Sequence, residues 1–120
     1  MATTNLGPAT LDLLTRGYGI KVLGSLPGRD SVYIQPGFDG DGGAPGASAR
    51  LWFICDNGGE FNVSPVNCHD EMRSVAYADH RGAVDPGTMA YRIAMVVRGE
   101  EIDWDFRWPE LVEELRAAWA

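Results

Sequence analysis

The chain has 120 residues, 45% apolar and 22% charged, a composition typical of one globular domain and unlike that of disordered proteins. Its net charge of −7 at pH 7 disfavours binding to nucleic acid or to an acidic membrane surface, because both need clustered lysine and arginine. No apolar run reaches the roughly 18 residues of a membrane-spanning helix, and the N-terminus lacks the basic and apolar regions of a signal peptide. We therefore expect a cytoplasmic protein, and nine arginines against one lysine favour a bacterial or phage origin.

The N-terminal segment predicts a short helix from Pro8 to Arg16. Proline suits the first position of a helix, and Leu11, Leu14 and Tyr18 recur on one helical face. Gly17 stands where a residue in the left-handed conformation commonly ends a helix.

Two β-hairpins are predicted next, each from a pair of β-like runs on either side of a turn. The four strands are Ile20–Leu26, Ser31–Gln35, Arg50–Asp56 and Glu60–Val63. Pro27 and Gly28 fit a type II turn in the first hairpin, and the Asn-Gly-Gly run at 57–59 closes the second. Between the hairpins, residues 37–48 are rich in glycine and predict a flexible loop.

Residues 64–79 fit two different structures. Asn67 is suited to cap a helix from Cys68 to Tyr77, and the run from Arg73 to Ala78 is equally suited to a strand. The sequence alone leaves both open.

The C-terminal third predicts two more strands and a helix. After a loop at 82–88, the apolar run from Met89 to Arg98 is predicted as a long strand. Apolar and charged residues alternate from Ile102 to Trp108, the pattern of a half-buried strand, and Pro109 begins a helix that runs to about Trp119. The prediction is an α+β fold, in which one domain over residues 1–120 has a mostly antiparallel sheet of about five or six strands with an N-terminal and a C-terminal helix packed on it.

Most of the negative charge lies in residues 100–120, which hold seven acidic side chains against two arginines. The acidic residues are Glu100, Glu101, Asp103, Asp105, Glu110, Glu113 and Glu114. A field of one sign steers association with an oppositely charged surface. We therefore predict that these seven carboxylates bind a basic protein partner, such as a toxin or a nucleic-acid-handling complex.

Three of the four tryptophans lie in the same stretch. Trp119 falls on the apolar face of the predicted final helix, and Trp104 and Trp108 share one face of the predicted strand with Phe106. Packing against the sheet is the favoured role for all three, with an anchor role in an interface as the alternative.

No residue pattern indicates catalysis or metal binding. The candidates, Cys55, Cys68, His69, Asp70 and His80, lack the two close ligand pairs of a zinc site, and a catalytic Cys–His pair would need a tertiary contact that spacing does not indicate. In the cytoplasm both cysteines are expected to stay reduced. We expect no cofactor, no metal and no enzymatic activity.

In size, acidity and lack of catalytic motifs, the chain is similar to small acidic phage proteins that inhibit bacterial defence complexes and to bacterial immunity proteins that neutralise basic toxins. This resemblance implies a non-enzymatic binding protein of the inhibitor or immunity type.

Two alternative functions stay open. One is a homo-oligomeric structural or phage-particle subunit, with the aromatic residues at 104–108 in a self-interface. The other is a small enzyme or ligand-binding domain that uses residues 37–48 as a lid.

Overall fold

The fold is built around a sheet in which each strand pairs with the next one along the chain. The computed structural model describes residues 7–25, 31–36, 50–56, 60–77 and 84–106. The strands are β1 (Ile20–Ser25), β2 (Ser31–Pro36), β3 (Trp52–Asp56), β4 (Glu60–Pro65) and β5 (Arg73–Tyr77), and the helices are α1 (Pro8–Tyr18) and α2 (Pro86–Arg98). All four strand pairings are antiparallel, in the order β1-β2-β3-β4-β5. The predicted α+β class is confirmed.

Both predicted hairpins are confirmed by the pairing of β1 with β2 and of β3 with β4. Their turns and the predicted loop at 37–48 lie outside the described residues. The register sets Val32 beside Ile54 and Ile54 beside Val63, so these three buried side chains form a row across the sheet. Leu14 of α1 and Ile93 of α2, both fully buried, belong to the same core cluster.

The N-terminal helix is confirmed and is longer than predicted. Pro8 is at its start, and its last residue is Tyr18. Gly17 lies inside the helix, and Gly19, with φ 67° and its N–H donated to the Leu14 carbonyl, takes the left-handed capping position instead. The two glycines are only two positions apart, and the sequence offers no signal that separates them.

Over residues 64–77, the part of this segment that the structure describes, the strand alternative is the one observed. Asn67 does not cap a helix: it lies in a turn after β4 with φ 70°, a left-handed conformation that asparagine tolerates well. A single 3-10 turn at His69–Glu71 follows, and β5 then pairs with β4. The helix from Cys68 to Tyr77 is therefore wrong.

The predicted strand from Met89 to Arg98 is also wrong, because these residues belong to α2. Asp85 caps this helix by accepting a hydrogen bond from the Thr88 N–H at 2.8 Å, and Pro86 occupies the first turn. Ten of the 13 residues of α2 are buried. A helix buried on most of its surface has a nearly continuous apolar sequence, which periodicity cannot distinguish from a buried strand.

The predicted strand at 102–108 is wrong over its described part. Residues 100–106 contain a turn at Trp104 and Asp105 and no strand. The predicted helix from Pro109 to Trp119 lies outside the described residues. Neither described helix has the length and apolar character needed to cross a membrane.

Candidate partner-binding surface

The segment from Gly99 to Phe106 leaves the end of α2 and folds back on itself. Gly99 has φ 79° and ends the helix, and the Glu100 N–H donates to the Met95 carbonyl at 2.8 Å. The Asp103 carboxylate accepts from the Asp105 N–H at 3.0 Å, and the Asp103 carbonyl accepts from the Phe106 N–H at 3.1 Å. These bonds give a compact turn in which Asp103, Trp104 and Asp105 are exposed while Ile102 packs against the core.

A buried arginine holds this turn against the sheet and helix. Arg92 of α2 is 5% exposed, and its guanidinium donates to the Trp104 carbonyl at 2.8 Å and to the Val75 carbonyl at 3.3 Å. Its Nε has no acceptor within the part of the chain that the structure describes. Burial lowers the pKa of Arg92, and the nearby carboxylates of Asp103 and Asp85 oppose that shift. Arg92 therefore connects α2, β5 and the turn.

An exposed tryptophan ring lies beside this arginine, and a second exposed ring stacks on the tryptophan. Trp104 is 40% exposed and Tyr77, the last residue of β5, is 43% exposed. Their rings stack with centroids 5.6 Å apart. The Arg92 guanidinium lies 4.5 Å from the Trp104 ring centroid. The predicted core role is therefore wrong for Trp104, since this ring is held at the surface; Trp108 and Trp119 lie outside the described residues.

Four of the seven predicted partner-binding carboxylates are at this surface. Glu100, Glu101, Asp103 and Asp105 are all exposed, and within the described part of the chain none of them forms an ion pair. Asp103 and Asp105 lie in a turn rather than on a strand face opposite the tryptophans. Glu110, Glu113 and Glu114 lie outside the described residues. We call Tyr77 together with residues 99–106 the acidic aromatic surface.

An open groove of about 830 Å³ adjoins the acidic aromatic surface. Its lining comes from the end of α2, from residues 99–102, and from Arg50, Glu71 and the start of β5. Tyr77 and Trp104 both line it. The size is in the range of sites that bind a small ligand or a short peptide segment.

An ion pair fixes the part of the groove lining that Arg50 and Glu71 form. Both terminal nitrogens of Arg50 donate to the Glu71 carboxylate, at 3.0 and 3.2 Å, and the guanidinium lies 5.7 Å from the Trp52 ring centroid. This hydrogen bonding lowers the pKa of Glu71 and raises that of Arg50. Trp52 is buried and lines the groove, and its indole N–H has no acceptor among the described residues.

Of the residues considered for catalysis or metal binding, the structure describes Cys55, Cys68, His69 and Asp70. Neither Cys55 nor Cys68 forms a disulfide, and Cys68 accepts a hydrogen bond from Arg50 at 3.5 Å. Asp70 is exposed, His69 lies in the 3-10 turn and His80 lies outside the described residues. Among the residues that the structure describes, no group of three His, Cys, Asp or Glu side chains is arranged to hold a metal ion.

Sequence reasoning missed Tyr77, which belongs to this surface, and Arg92, the buried residue that holds the turn in place. A signal for Arg92 was present, because a charged residue in the middle of the apolar run at 89–98 must be buried with partners or end the run. No signal marked Tyr77, since its exposure follows from its place at the end of the last strand of the sheet.

No protein-family model matches the sequence, and no curated protein or solved structure is significantly similar to it.

Proposed function

We propose that this chain is a non-enzymatic binding protein that uses the acidic aromatic surface to occupy a cationic surface of a protein partner, in the manner of an inhibitor or immunity protein. The observation that supports this best is the placement of Trp104. A large aromatic ring is held exposed by a buried arginine, within a turn that carries four carboxylates without ion-pair partners among the described residues.

The two kinds of group have different roles in binding. Tryptophan and tyrosine supply most of the binding energy in many interfaces, because a rigid ring buries much apolar area at little entropic cost. The carboxylates act mainly on the rate of encounter and on the choice of partner. An exposed ring surrounded by acidic groups therefore fits a basic protein surface with an apolar recess.

The experiment begins with capture of partners from bacterial lysate at low and moderate salt, identified by mass spectrometry. Association of the captured protein is then measured with wild type and with the double variant Glu100→Lys/Glu101→Lys. The double variant Asp12→Lys/Asp70→Lys is the control, because it changes the net charge by the same amount at exposed positions outside the acidic aromatic surface.

We expect a basic partner that is released as salt rises, and association about tenfold slower or more for the Glu100/Glu101 variant but not for the control. Thermal stability of both variants should stay close to that of wild type, since the substituted groups are exposed. An equal effect of the two variants, or no effect of either, contradicts the proposal.

A further inference from the structure

We infer that the groove beside the acidic aromatic surface receives an arginine-bearing, extended segment of the basic partner, with a guanidinium against the Tyr77–Trp104 pair and the carboxylates of Glu100 and Glu101. This inference rests on the proposed function and names the part of the partner that is recognised. A groove of about 830 Å³ is larger than one side chain needs, which favours several consecutive residues over a single inserted group.

The charges at the groove favour a cation. Arg50 and Glu71 neutralise each other in a two-bond ion pair. That leaves Arg73 as a positive group of the lining against Glu100 and Glu101, with the carboxylates of Asp103 and Asp105 next along the chain. Arg73 and the two glutamates are all exposed, so an entering peptide meets a net negative field.

Arginine suits the site better than lysine because its planar group stacks on aromatic rings and forms paired hydrogen bonds with carboxylates. The chain places an arginine over a tryptophan ring twice at this location, and one of the two arginines also binds a carboxylate. Arg92 stacks on Trp104 at 4.5 Å, and Arg50 lies over Trp52 at 5.7 Å while binding Glu71 through both terminal nitrogens. Tyr77 and Trp104 still expose about two fifths of their surface, at 43% and 40%.

The acidic lining also decides between a different protein and a second copy of this chain as the occupant. A second copy of this chain fits less well, because two molecules of net charge −7 repel each other at an interface that is itself acidic.

The test is a nuclear magnetic resonance titration of the full isotope-labelled chain with the synthetic peptide Gly-Ser-Arg-Val-Arg-Ser-Gly. Matched peptides carry citrulline, which is neutral and planar, or lysine in place of both arginines. We expect the amide signals of residues 72–77 and 99–104 to shift with the arginine peptide, less with the lysine peptide and not with the citrulline peptide. Glu101→Gln and Tyr77→Leu should each weaken binding about threefold to tenfold, with the spectrum of the unbound variant showing an intact fold.

Shifts confined to residues outside the groove, or equal shifts with the citrulline peptide, overturn the inference. Concentration-dependent shifts of the groove amides without peptide mean that a second copy is the occupant, and also overturn it. If the peptide fails while a captured basic partner still depends on Glu100 and Glu101, the groove inference is wrong and the proposed function stands. If capture and charge reversal fail as well, the proposed function is wrong.

Discussion

The guanidinium of Arg92 contacts Trp104 twice, through a 2.8 Å hydrogen bond to its carbonyl and through its position 4.5 Å from the centroid of its ring. A side chain of the buried helix thus fixes both the backbone and the ring of an exposed residue. The arginine has no carboxylate within ion-pair distance among the described residues, so its charge is compensated by carbonyls and by the aromatic face. This contact makes the acidic aromatic surface a fixed part of the fold.

Replacing Arg92 with methionine should destabilise the protein by about 1–3 kcal/mol, because the Val75 and Trp104 carbonyls lose their donor. The larger effect should be local. Amide hydrogen exchange of residues 100–106 should accelerate far more than that of β3 and β4, since the turn loses its connection to α2 and β5. Urea unfolding and hydrogen exchange followed by mass spectrometry measure the two effects.

Arg98→Met is the matched control for this prediction. Arg98 is an exposed arginine of the same helix that lies 5.6 Å from the Tyr18 ring centroid, and its replacement should change the free energy of unfolding by no more than about 0.5–1 kcal/mol. Uniform acceleration of exchange across the whole protein in the Arg92 variant would mean that Arg92 serves only core stability.

The sheet was largely predictable because its strands are short, bounded by turn residues and paired with their neighbours in sequence. The helix α2 was not, and the reason is physical. A segment that is buried on nearly all sides loses the polar stripe by which an amphipathic helix is identified. Asp85 and Pro86 did signal a helix start, but the same Asp-Pro-Gly run also fits a turn.

The candidate site was predictable only in part. Charge density alone identified Glu100, Glu101, Asp103 and Asp105 as surface groups, since carboxylates are rarely buried unpaired. The position of Trp104 was predicted wrongly, because the alternating pattern at 102–108 resembles a strand while hydrogen bonds within the Asp103 turn and from Arg92 decide the local structure. Such side-chain-to-backbone bonds depend on tertiary contacts that a sequence pattern does not carry.

The cap of α2 gives a test of the revised assignment of residues 85–98. Asp85→Ala should lower the free energy of unfolding by about 0.5–2 kcal/mol, because the Thr88 N–H loses its acceptor. Asp85→Asn, which keeps an acceptor oxygen, should cost much less. Urea denaturation of the three proteins measures this, and equal losses for alanine and asparagine would argue against a capping role.

Trp104 should dominate the binding energy of the proposed interface. Trp104→Ala keeps the backbone carbonyl that binds Arg92 but removes the exposed ring, and should weaken binding of the captured partner by about 2 kcal/mol or more. Leu23, in the first strand of the sheet and 50% exposed, provides a control in which a similarly exposed apolar side chain is removed. Leu23→Ala should leave affinity unchanged in a calorimetric titration, and comparable losses for both variants would contradict the proposal.

The Arg50–Glu71 pair should make stability depend on acidic pH in a defined direction. The hydrogen bonds from Arg50 lower the pKa of Glu71 in the folded protein. The stabilisation is therefore complete above the ordinary glutamate pKa of about 4.3 and is lost as pH falls through the lower, folded value. The free energy of unfolding of wild type relative to Glu71→Gln should be constant between about pH 5 and 7 and should shrink below about pH 4.

In an Arg50→Met background the same Glu71→Gln comparison should show much less pH dependence, because the carboxylate has lost its main partner. Raising the salt concentration should also reduce the wild-type difference, since both side chains are partly exposed. If the pH dependence persists unchanged without Arg50, it comes from other titrating groups. The ion pair would then not be the contact that fixes this part of the groove lining.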